Sequence, residues 1–377
     1  MPVALGVLAV ALLVYCGVQG ATAWGVRQTL RRPLPPAPSP WPSVSVIVPA
    51  RNEADAIAAC LCSIRANRYP GPCEVIVVDD FSTDATAAIV ARHIDREAPL
   101  DAPVRLLRLD AHMPHNPQQK QGALQAGIAQ ATGAVVLTTD ADCTVGPRWI
   151  ETMARFCTPE TPFVAGPVRY RTSPRTLGRF QGVSIVGAVA LGAGHIALGA
   201  PTFCNSANVA YRRALYLAGR AHLPEGPATD ELLLQHVAYA TDQQPAFAHP
   251  AAACVTTDAV ASWRAFMQQR VRWASTGATY PHGRARALLA AYMLPMALLL
   301  LGALGALALP AWRLPVAAAF ALKALVDAAL VVPAARAYRV PFTLPLLAAV
   351  VLAEGPLVCY AALRAAVAPG RWKGRPL

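Results

Sequence analysis

Charge is scarce in this chain. Of its 377 residues only 14% are charged against 55% hydrophobic, and 21 acids face 33 bases for a net charge of +12. That balance is too apolar for an ordinary soluble enzyme and too polar for a protein embedded throughout, so a mixed chain is expected. No basic run is interleaved with aromatics, which argues against a nucleic-acid partner and leaves anionic lipid headgroups as the better match for the surplus charge. Nine cysteines include no C-x-x-C pair and no Cys/His set at zinc spacing, so we expect reduced thiols in a cytosolic domain. The strand-like segment Val46 to Asn52 is followed by no G-x-G-x-x-G turn, which excludes a dinucleotide-binding dehydrogenase, and a Walker-type phosphate loop is absent too.

What is abundant lies at the ends. Val3 to Trp24 carries no charge, enough for a bilayer-spanning helix, which needs about 20 residues. No Lys or Arg precedes this stretch, whereas Arg27, Arg31 and Arg32 follow it. The pattern predicts an uncleaved anchor, residues 1–26, whose C-terminal side is cytoplasmic, rather than a cleaved signal peptide. Residues 27–42 include PLPPAPSPWP, a stiff proline-rich spacer. Residues 281–377 form a C-terminal membrane region. Its apolar stretches run from about Ala287 to Leu309, Leu314 to Val332 and Pro341 to Ala366, punctuated by Pro310, Pro333 and Pro341, and a basic tail, Arg371 to Arg375, follows. Lys323 and Asp327 are spaced i,i+4 and can pair on one helix face. Arg336, Arg339 and the tail cannot all be cytoplasmic with three full crossings. The last segment, interrupted by Glu354-Gly355-Pro356, is therefore the expected re-entrant or interfacial one.

Residues 43–280 read as one domain of alternating strands and helices. Ser43–Ala50, Glu74–Asp80, Val104–Leu109, Ala134–Thr139 and Phe163–Val168 are strand-like. Asp55–Asn67, Asp84–His93 and Lys120–Ala131 show helical spacing, with Asp55 and Asp84 as predicted caps. Apolar strands in βα alternation predict a mostly parallel sheet with helices on both faces, and ligands beyond the carboxyl ends of its strands. Glu53, Asp79, Asp80, Asp140 and Asp142 all fall at that edge. In TTDADC, Asp140 and Asp142 repel one another unless a cation lies between them, and an all-oxygen donor set suits Mg²⁺ or Mn²⁺ completed by substrate phosphates. One D-x-D is a weak signal by itself; its position at a strand end strengthens it.

Six segments in this order resemble family 2 glycosyltransferases, the inverting enzymes with a GT-A (Rossmann-like) fold: VSVIVPARNEADAI, VIVVDDFSTDAT, TTDADC, NSANVAYRR, TDELL and QQRVRW. Together they cover about Val44 to Trp273. The resemblance implies a nucleotide-sugar donor, most often UDP-linked, and the size and flanking segments look most like membrane-bound single-sugar transferases acting on a lipid acceptor. It further implies that Ala50, Glu53, Asp79 and Asp80 line the nucleotide pocket and that Asp140 lies near the ribose and metal, with Asp142 as the metal ligand. Asp230 or Glu231 would be the base, and Asp230 is preferred because Leu233 stands at the family's usual spacing from the catalytic Asp. Asn208, Gln269, Arg272 and Trp273 would position diphosphate and acceptor. Lys120 suits a phosphate contact or a solvated helix start equally.

Two other readings share these features: a processive polysaccharide synthase of the same family, which usually has more membrane helices, and a non-catalytic membrane scaffold keeping the fold. Phe180 to Pro201, which holds no acidic or basic residue except His195, is predicted to be a Gly-rich helix near the acceptor entrance rather than a crossing, because a crossing would separate Asp142 from Asp230. His195 is expected to be structural, and His112, His115 and His222 receive no role. The expected location is the bacterial cytoplasmic membrane, with the catalytic domain facing the cytoplasm.

Overall fold

The computed structural model describes residues 2–94, 99–109, 120–220, 229–277, 280–367, 371–372 and 375–376. His112, His115 and His222 lie outside them. The chain divides into two compact units: an apolar helical unit of Met1–Arg31, Thr172–Thr202 and Ala259–Leu377, and a sheet unit of Arg32–Arg171 and Phe203–Asp258. The unit that carries the sheet is thus discontinuous, where the sequence pattern predicts one run over 43–280. The helical spacing of 176–197 and 263–277 is the same whichever unit those helices pack in, so periodicity could not separate them.

Elements are numbered along the chain. Helix α1 (Pro2–Arg31) is followed by β1 (Val44–Ala50), α2 (Ile57–Arg65), β2 (Cys73–Asp79), α3 (Thr86–Ile94), β3 (Val104–Arg108), α4 (Lys120–Gln130) and β4 (Val135–Thr138). Next come β5 (Thr144–Val145), α5 (Trp149–Phe156), β6 (Phe163–Ala165), β7 (Val168–Tyr170), α6 (Thr176–Ala197), β8 (Val209–Arg212), α7 (Arg213–Arg220), α8 (Thr229–Ala240), β9 (Ala246–Phe247) and β10 (Val255–Thr257). Helices α9 (Trp263–Gly277), α10 (Gly283–Ala308), α11 (Arg313–Ala337) and α12 (Leu344–Val367) follow.

In the sheet unit the main sheet has the order β3-β2-β1-β4-β8-β6-β9. All of its strands are parallel except β8, which runs antiparallel to both β4 and β6. β1, β2 and β4 are buried at every position, as largely apolar strands covered on both faces should be, and the polar Ser45 and Glu74 among them bond to each other (2.6 Å). The predicted strand Phe163–Val168 breaks at Gly166-Pro167: its first part joins the main sheet, and its continuation, β7, pairs with β10 in a small second sheet. Proline supplies no ladder donor, which explains the break. Pro49 fits within β1 because pairing to β4 ends at Ile47. Beyond that residue β1 and β4 are no longer laddered, and the strand order switches there, the place where open parallel sheets bind ligands. Two predicted helix starts differ. α2 begins after Ala56 with no side-chain cap, so Asp55 does not cap it. Asp84 does accept bonds from the Thr86 amide (3.0 Å) and hydroxyl (2.5 Å), and also from the Ala54 amide (3.1 Å), tying two loops together.

Among the described residues of the helical unit five helices are long and apolar enough to cross a membrane: Val3–Arg31, Thr176–Ala197, Gly283–Ala308, Pro310–Ala337 and Leu344–Val367. Four keep most of their apolar surface outward, as lipid-facing helices do. In α6, by contrast, 78% of the apolar window is buried, packed by α1, α11 and α12. Glycine sets this closeness: a Cβ on Gly194 would lie 2.5 Å from both the Thr22 carbonyl oxygen and its Cγ2. α11 continues through Pro333 to Ala337, and α12 runs unbroken through Glu354-Gly355-Pro356. The predicted interruptions are therefore not breaks; a helix with packed neighbours tolerates the one backbone bond that each proline removes. Lys323 Nζ donates to Asp327 Oδ2 (2.6 Å) and to the Val351 carbonyl (2.6 Å), and Tyr15 Oη donates to Asp327 Oδ1 (2.6 Å). This is the predicted i,i+4 pair, satisfied by neighbouring helices.

Candidate active site

The acids that follow β2 and β4 stand at the carboxyl edge of the parallel strands. Asp80 is buried, with its amide donating to the Ala50 carbonyl (2.8 Å), which holds the end of β2 against the end of β1. Arg51 Nη1 donates to the Asp80 carbonyl (2.9 Å) and lies 4.0 Å from Asp80 Oδ2. Asp79 has a different use. Its Oδ1 accepts from the Ser82 amide (3.2 Å) and its Oδ2 faces Arg108 of β3 at 3.7 Å, so it shapes the turn after β2. Glu53 accepts through its backbone carbonyl from the Ala56 (3.0 Å) and Ile57 (2.9 Å) amides, opening α2, while the Thr86 hydroxyl accepts from its amide (2.8 Å).

After β4 the chain turns tightly, Cys143 N donating to the Asp140 carbonyl (3.0 Å). The turn leaves the Asp142 carboxylate exposed and that of Asp140 34% exposed. Lys120, at the first position of α4, forms an ion pair with Asp140 Oδ1 and donates to Ser206 Oγ (3.1 Å). Of its two predicted uses, the structure thus gives Lys120 an anchored place at this edge rather than a purely solvated one. Two thiols lie behind the turn: Cys60 Sγ is 3.6 Å from the Asp140 carbonyl, and Cys143 Sγ is 3.4 Å from Asp142 Oδ1. Burial, followed by the nearby Asp142 and Asp140 charges, raises both thiols, so they remain protonated packing groups.

Asp230 enters the same cluster from the first turn of α8. Burial pushes its carboxyl from 3.8 up to about 6; Lys120 opposes that rise and Asp140 adds to it. A helix N-terminus ordinarily favours a carboxylate, so desolvation prevails here. Lys120 responds in the opposite sense: burial lowers its ammonium, but Asp140 and Asp230 raise it further, and the net direction is upward. Lys120, Asp140 and Asp230 are therefore electrostatically coupled, although they come from three separate elements. Glu231, the next residue, is half-buried.

Asn208 is not placed to touch a ligand. It is fully buried; its Oδ1 accepts from Trp149 Nε1 (3.0 Å) and its Nδ2 donates to the Pro167 (2.7 Å) and Ala253 (2.8 Å) carbonyls. The expected positioning role thus becomes that of an internal brace, because the amide's bonds are taken up by the fold. Ser206, two residues earlier in the same motif, makes the polar contact instead. Neither Ser206 nor Arg51 was singled out in the sequence, where a Ser in a loop and an Arg after a strand carry no distinctive spacing. Gln269, Arg272 and Trp273 lie on α9 in the helical unit. His195, also in that unit, is buried, with Nδ1 2.8 Å from the Thr202 hydroxyl and Nε2 buried without a hydrogen-bond partner.

Among the described residues no group of three or more His, Cys, Asp and Glu side chains forms a metal cage. Asp142 and Asp140 nevertheless fit a hard divalent cation: both are oxygen donors, one exposed and one partly so, at the carboxyl edge of the parallel strands.

Comparison with known proteins agrees with this architecture. An N-acetylglucosaminyltransferase of Mesorhizobium japonicum is 34% identical over 121 residues, covering 32% of this chain and 27% of that protein. A dodecaprenyl-phosphate galacturonate synthase of Rhizobium johnstonii is 31% identical over 112 residues, covering 29% of this chain and 31% of that one. The chain thus spans less than a third of either relative's length. Among solved structures, the mannosyltransferase PcManGT of Pyrobaculum calidifontis, in complex with GDP-Man and Mn²⁺, aligns at a TM-score of 0.57 with 20% identity, covering 95% of this chain and 98% of that one. That likeness concerns the fold, a mostly parallel GT-A sheet accompanied by long apolar helices. The family model described as "Glycosyl transferase family 2" matches residues 45–215, the stretch that holds every strand from β1 to β8, and the fold that these strands build is GT-A.

Proposed function

We propose that this chain is an inverting glycosyltransferase that moves a single sugar from a nucleotide-sugar donor to the hydroxyl of a membrane lipid. The observation that carries the reading is the cluster of buried Asp230 with Lys120 and Asp140, beside the exposed Asp142, at the carboxyl edge of a parallel sheet. Ala50, Glu53 and Asp80 line the nucleotide side of the site, with Arg51 holding the Asp80 turn in place. Asp142, with Asp140, would hold a divalent cation, Mg²⁺ or Mn²⁺, which when bound supplies Lewis-acid neutralisation of the leaving diphosphate.

Asp230 acts as the general base. The acceptor hydroxyl gives its proton to the Asp230 carboxylate while its oxygen bonds to the anomeric carbon; the bond from that carbon to the diphosphate oxygen breaks, and the nucleoside diphosphate departs. A carboxyl near 6 is better matched to this task than an ordinary aspartate, since proton transfer is most effective when the base titrates close to the working pH. Lys120 opposes the rise that burial imposes on Asp230 and so favours its ionised form. Gln269, Arg272 and Trp273 position diphosphate and acceptor through a cationic fork and an aromatic floor.

A lipid acceptor is supported by the five apolar helices and by the dodecaprenyl-phosphate named for one relative. The cytoplasmic membrane, with the catalytic side inward, is supported by Arg27, Arg31 and Arg32 directly after the first apolar stretch. The resemblance implies a UDP-linked donor, while the fold relative is in complex with GDP-Man, so the test must include both. The full chain in detergent, supplied with total bacterial lipid and Mn²⁺, is expected to release nucleoside diphosphate with one of a panel of UDP- and GDP-sugars and to yield a lipid heavier by one sugar. Asp142→Ala should lose the reaction. Product ladders would reject single transfer; no release by the wild type with any donor would reject the transferase reading in favour of a scaffold.

A further inference from the structure

The motif QQRVRW contains an arginine that the proposed chemistry does not use. Arg270 is 8% exposed in α9 and makes a bidentate contact with Glu354 of α12, Nη1 to Oε1 at 2.9 Å and Nη2 to Oε2 at 3.3 Å. Its Nη2 also donates to the hydroxyl of Ser184 on α6, which in turn lies 3.3 Å from Glu354 Oε2. The guanidinium is flanked by two rings, Phe266 at 5.1 Å and Trp273 at 5.5 Å from their centroids. Three helices of the helical unit thus meet at one cation, inside a layer where Phe180, Val183, Phe266, Leu347, Val350 and Val351 form the apolar packing.

We propose that Glu354 is a positioning residue for sugar transfer: with Ser184 it clamps Arg270 and so fixes the rotation and axial register of α9, which determines where Gln269, Arg272 and Trp273 face. This rests on the transferase reading for the role of those three residues, but the clamp itself does not.

Helix geometry supplies the argument. Successive side chains are rotated by about 100°, so Arg270 and Arg272 project about 160° apart, and Trp273 lies about 60° from Arg270. Holding Arg270 against α12 and α6 therefore turns Arg272 to the opposite face, and sets Trp273 beside the clamp, where its ring stacks on Arg270. Nonpolar packing alone would allow α9 to roll, since apolar contacts have no direction. A bidentate guanidinium-carboxylate pair does not allow it, because its two parallel bonds specify an orientation. A glutamate in an apolar helix is costly unless paired, which makes Glu354 a poor choice for packing and a good one for register.

The test compares the full chain with Glu354→Gln, Arg270→Lys, Ser184→Ala and the Glu354→Gln/Arg270→Gln double variant in detergent. The first readout is hydrogen exchange of the α9 backbone, which needs no activity. Glu354→Gln is expected to speed exchange over residues 263–277 by about tenfold or more while α10 is unchanged. The second is kinetic: kcat should fall about tenfold or more in Glu354→Gln and in Arg270→Lys, which keeps the charge but loses the fork, with donor KM changed less than about threefold. The double variant should be no worse than the worse single one. Ser184→Ala, the mildest change, should show the same effects in smaller measure, so the proposal stays testable should Glu354→Gln fail to fold. Unchanged α9 exchange in folded Glu354→Gln or Ser184→Ala would overturn the clamp, and altered exchange with wild-type kcat would overturn its positioning role. A wild type inactive with every donor would defeat the positioning role together with the transferase reading, while the exchange data would still decide the clamp.

Discussion

Two buried acids of the sheet unit titrate in opposite directions, and the comparison shows what a carboxylate's surroundings decide. Burial alone would raise Glu74, but its oxygens accept from the Ser45 hydroxyl (2.6 Å), the Thr132 amide and hydroxyl (2.7 Å each) and Arg105 (2.6 Å), which hold it at about 2. Asp230 has a lysine nearby and no comparable set of donors, so burial prevails and it rises to about 6. As a base it must be ionised, hence kcat/KM should climb with pH and level off above about 6, and Asp230→Asn should cost about 100-fold or more. Lys120→Met removes the charge that lowers Asp230, so the same limb should move to higher pH. Stability runs the other way. Because the folded pKa of Asp230 lies above its unfolded value, its contribution is fully present below pH 4 and is lost as pH rises through about 6. At neutral pH the ionised side chain costs up to about 3 kcal/mol, since each tenfold change in acidity constant between the unfolded and folded states corresponds to about 1.4 kcal/mol. Asp230→Asn should therefore raise the melting temperature at pH 7.5 by several degrees while abolishing turnover; calorimetry beside kinetics checks both signs.

At the scale of elements, close approaches and bracing bonds position the segments. The α1–α6 crossing depends on Gly194, where an added Cβ would meet a backbone oxygen that cannot move aside cheaply. Overpacking of about 1–3 kcal/mol exceeds the roughly 1 kcal/mol of helix propensity gained, so Gly194→Ala should lower the unfolding midpoint in detergent. A Cβ added at Gly20 of α1 would meet nothing within 4 Å, so Gly20→Ala should be neutral or slightly stabilising, which provides the control. Asn208 ties α5, through Trp149, to the Pro167 and Ala253 carbonyls. Asn208→Ala strands three buried partners, each costing about 1 kcal/mol or more, and should destabilise the whole sheet unit with little direct effect on donor KM in whatever fraction stays folded.

For the whole molecule, the division into units has a practical consequence. A fragment of residues 43–280 would carry α6 and α9 without α1, α11 and α12, exposing an apolar helix whose window is 78% buried in the intact chain. That fragment should aggregate when expressed alone, while the full chain should stay with the membrane through alkaline carbonate washing and dissolve only in detergent. A soluble, monomeric 43–280 fragment by gel filtration would contradict this division.

Sequence alone determined the apolar ends, the βα alternation, the acids at the strand ends and the Lys323–Asp327 pair, because each is a local pattern: a run length, a period of two or of 3.6, or a spacing of four residues. Tertiary structure decided the rest. It drew α6 and α9 out of the sheet unit, turned Asn208 from a ligand contact into a brace, and brought Lys120, Ser206, Asp140 and Asp230 together from four separate stretches of chain. Which partner a helix buries itself against, and which buried acid is left short of donors, depend on contacts far apart in the chain, and no periodicity along it encodes them.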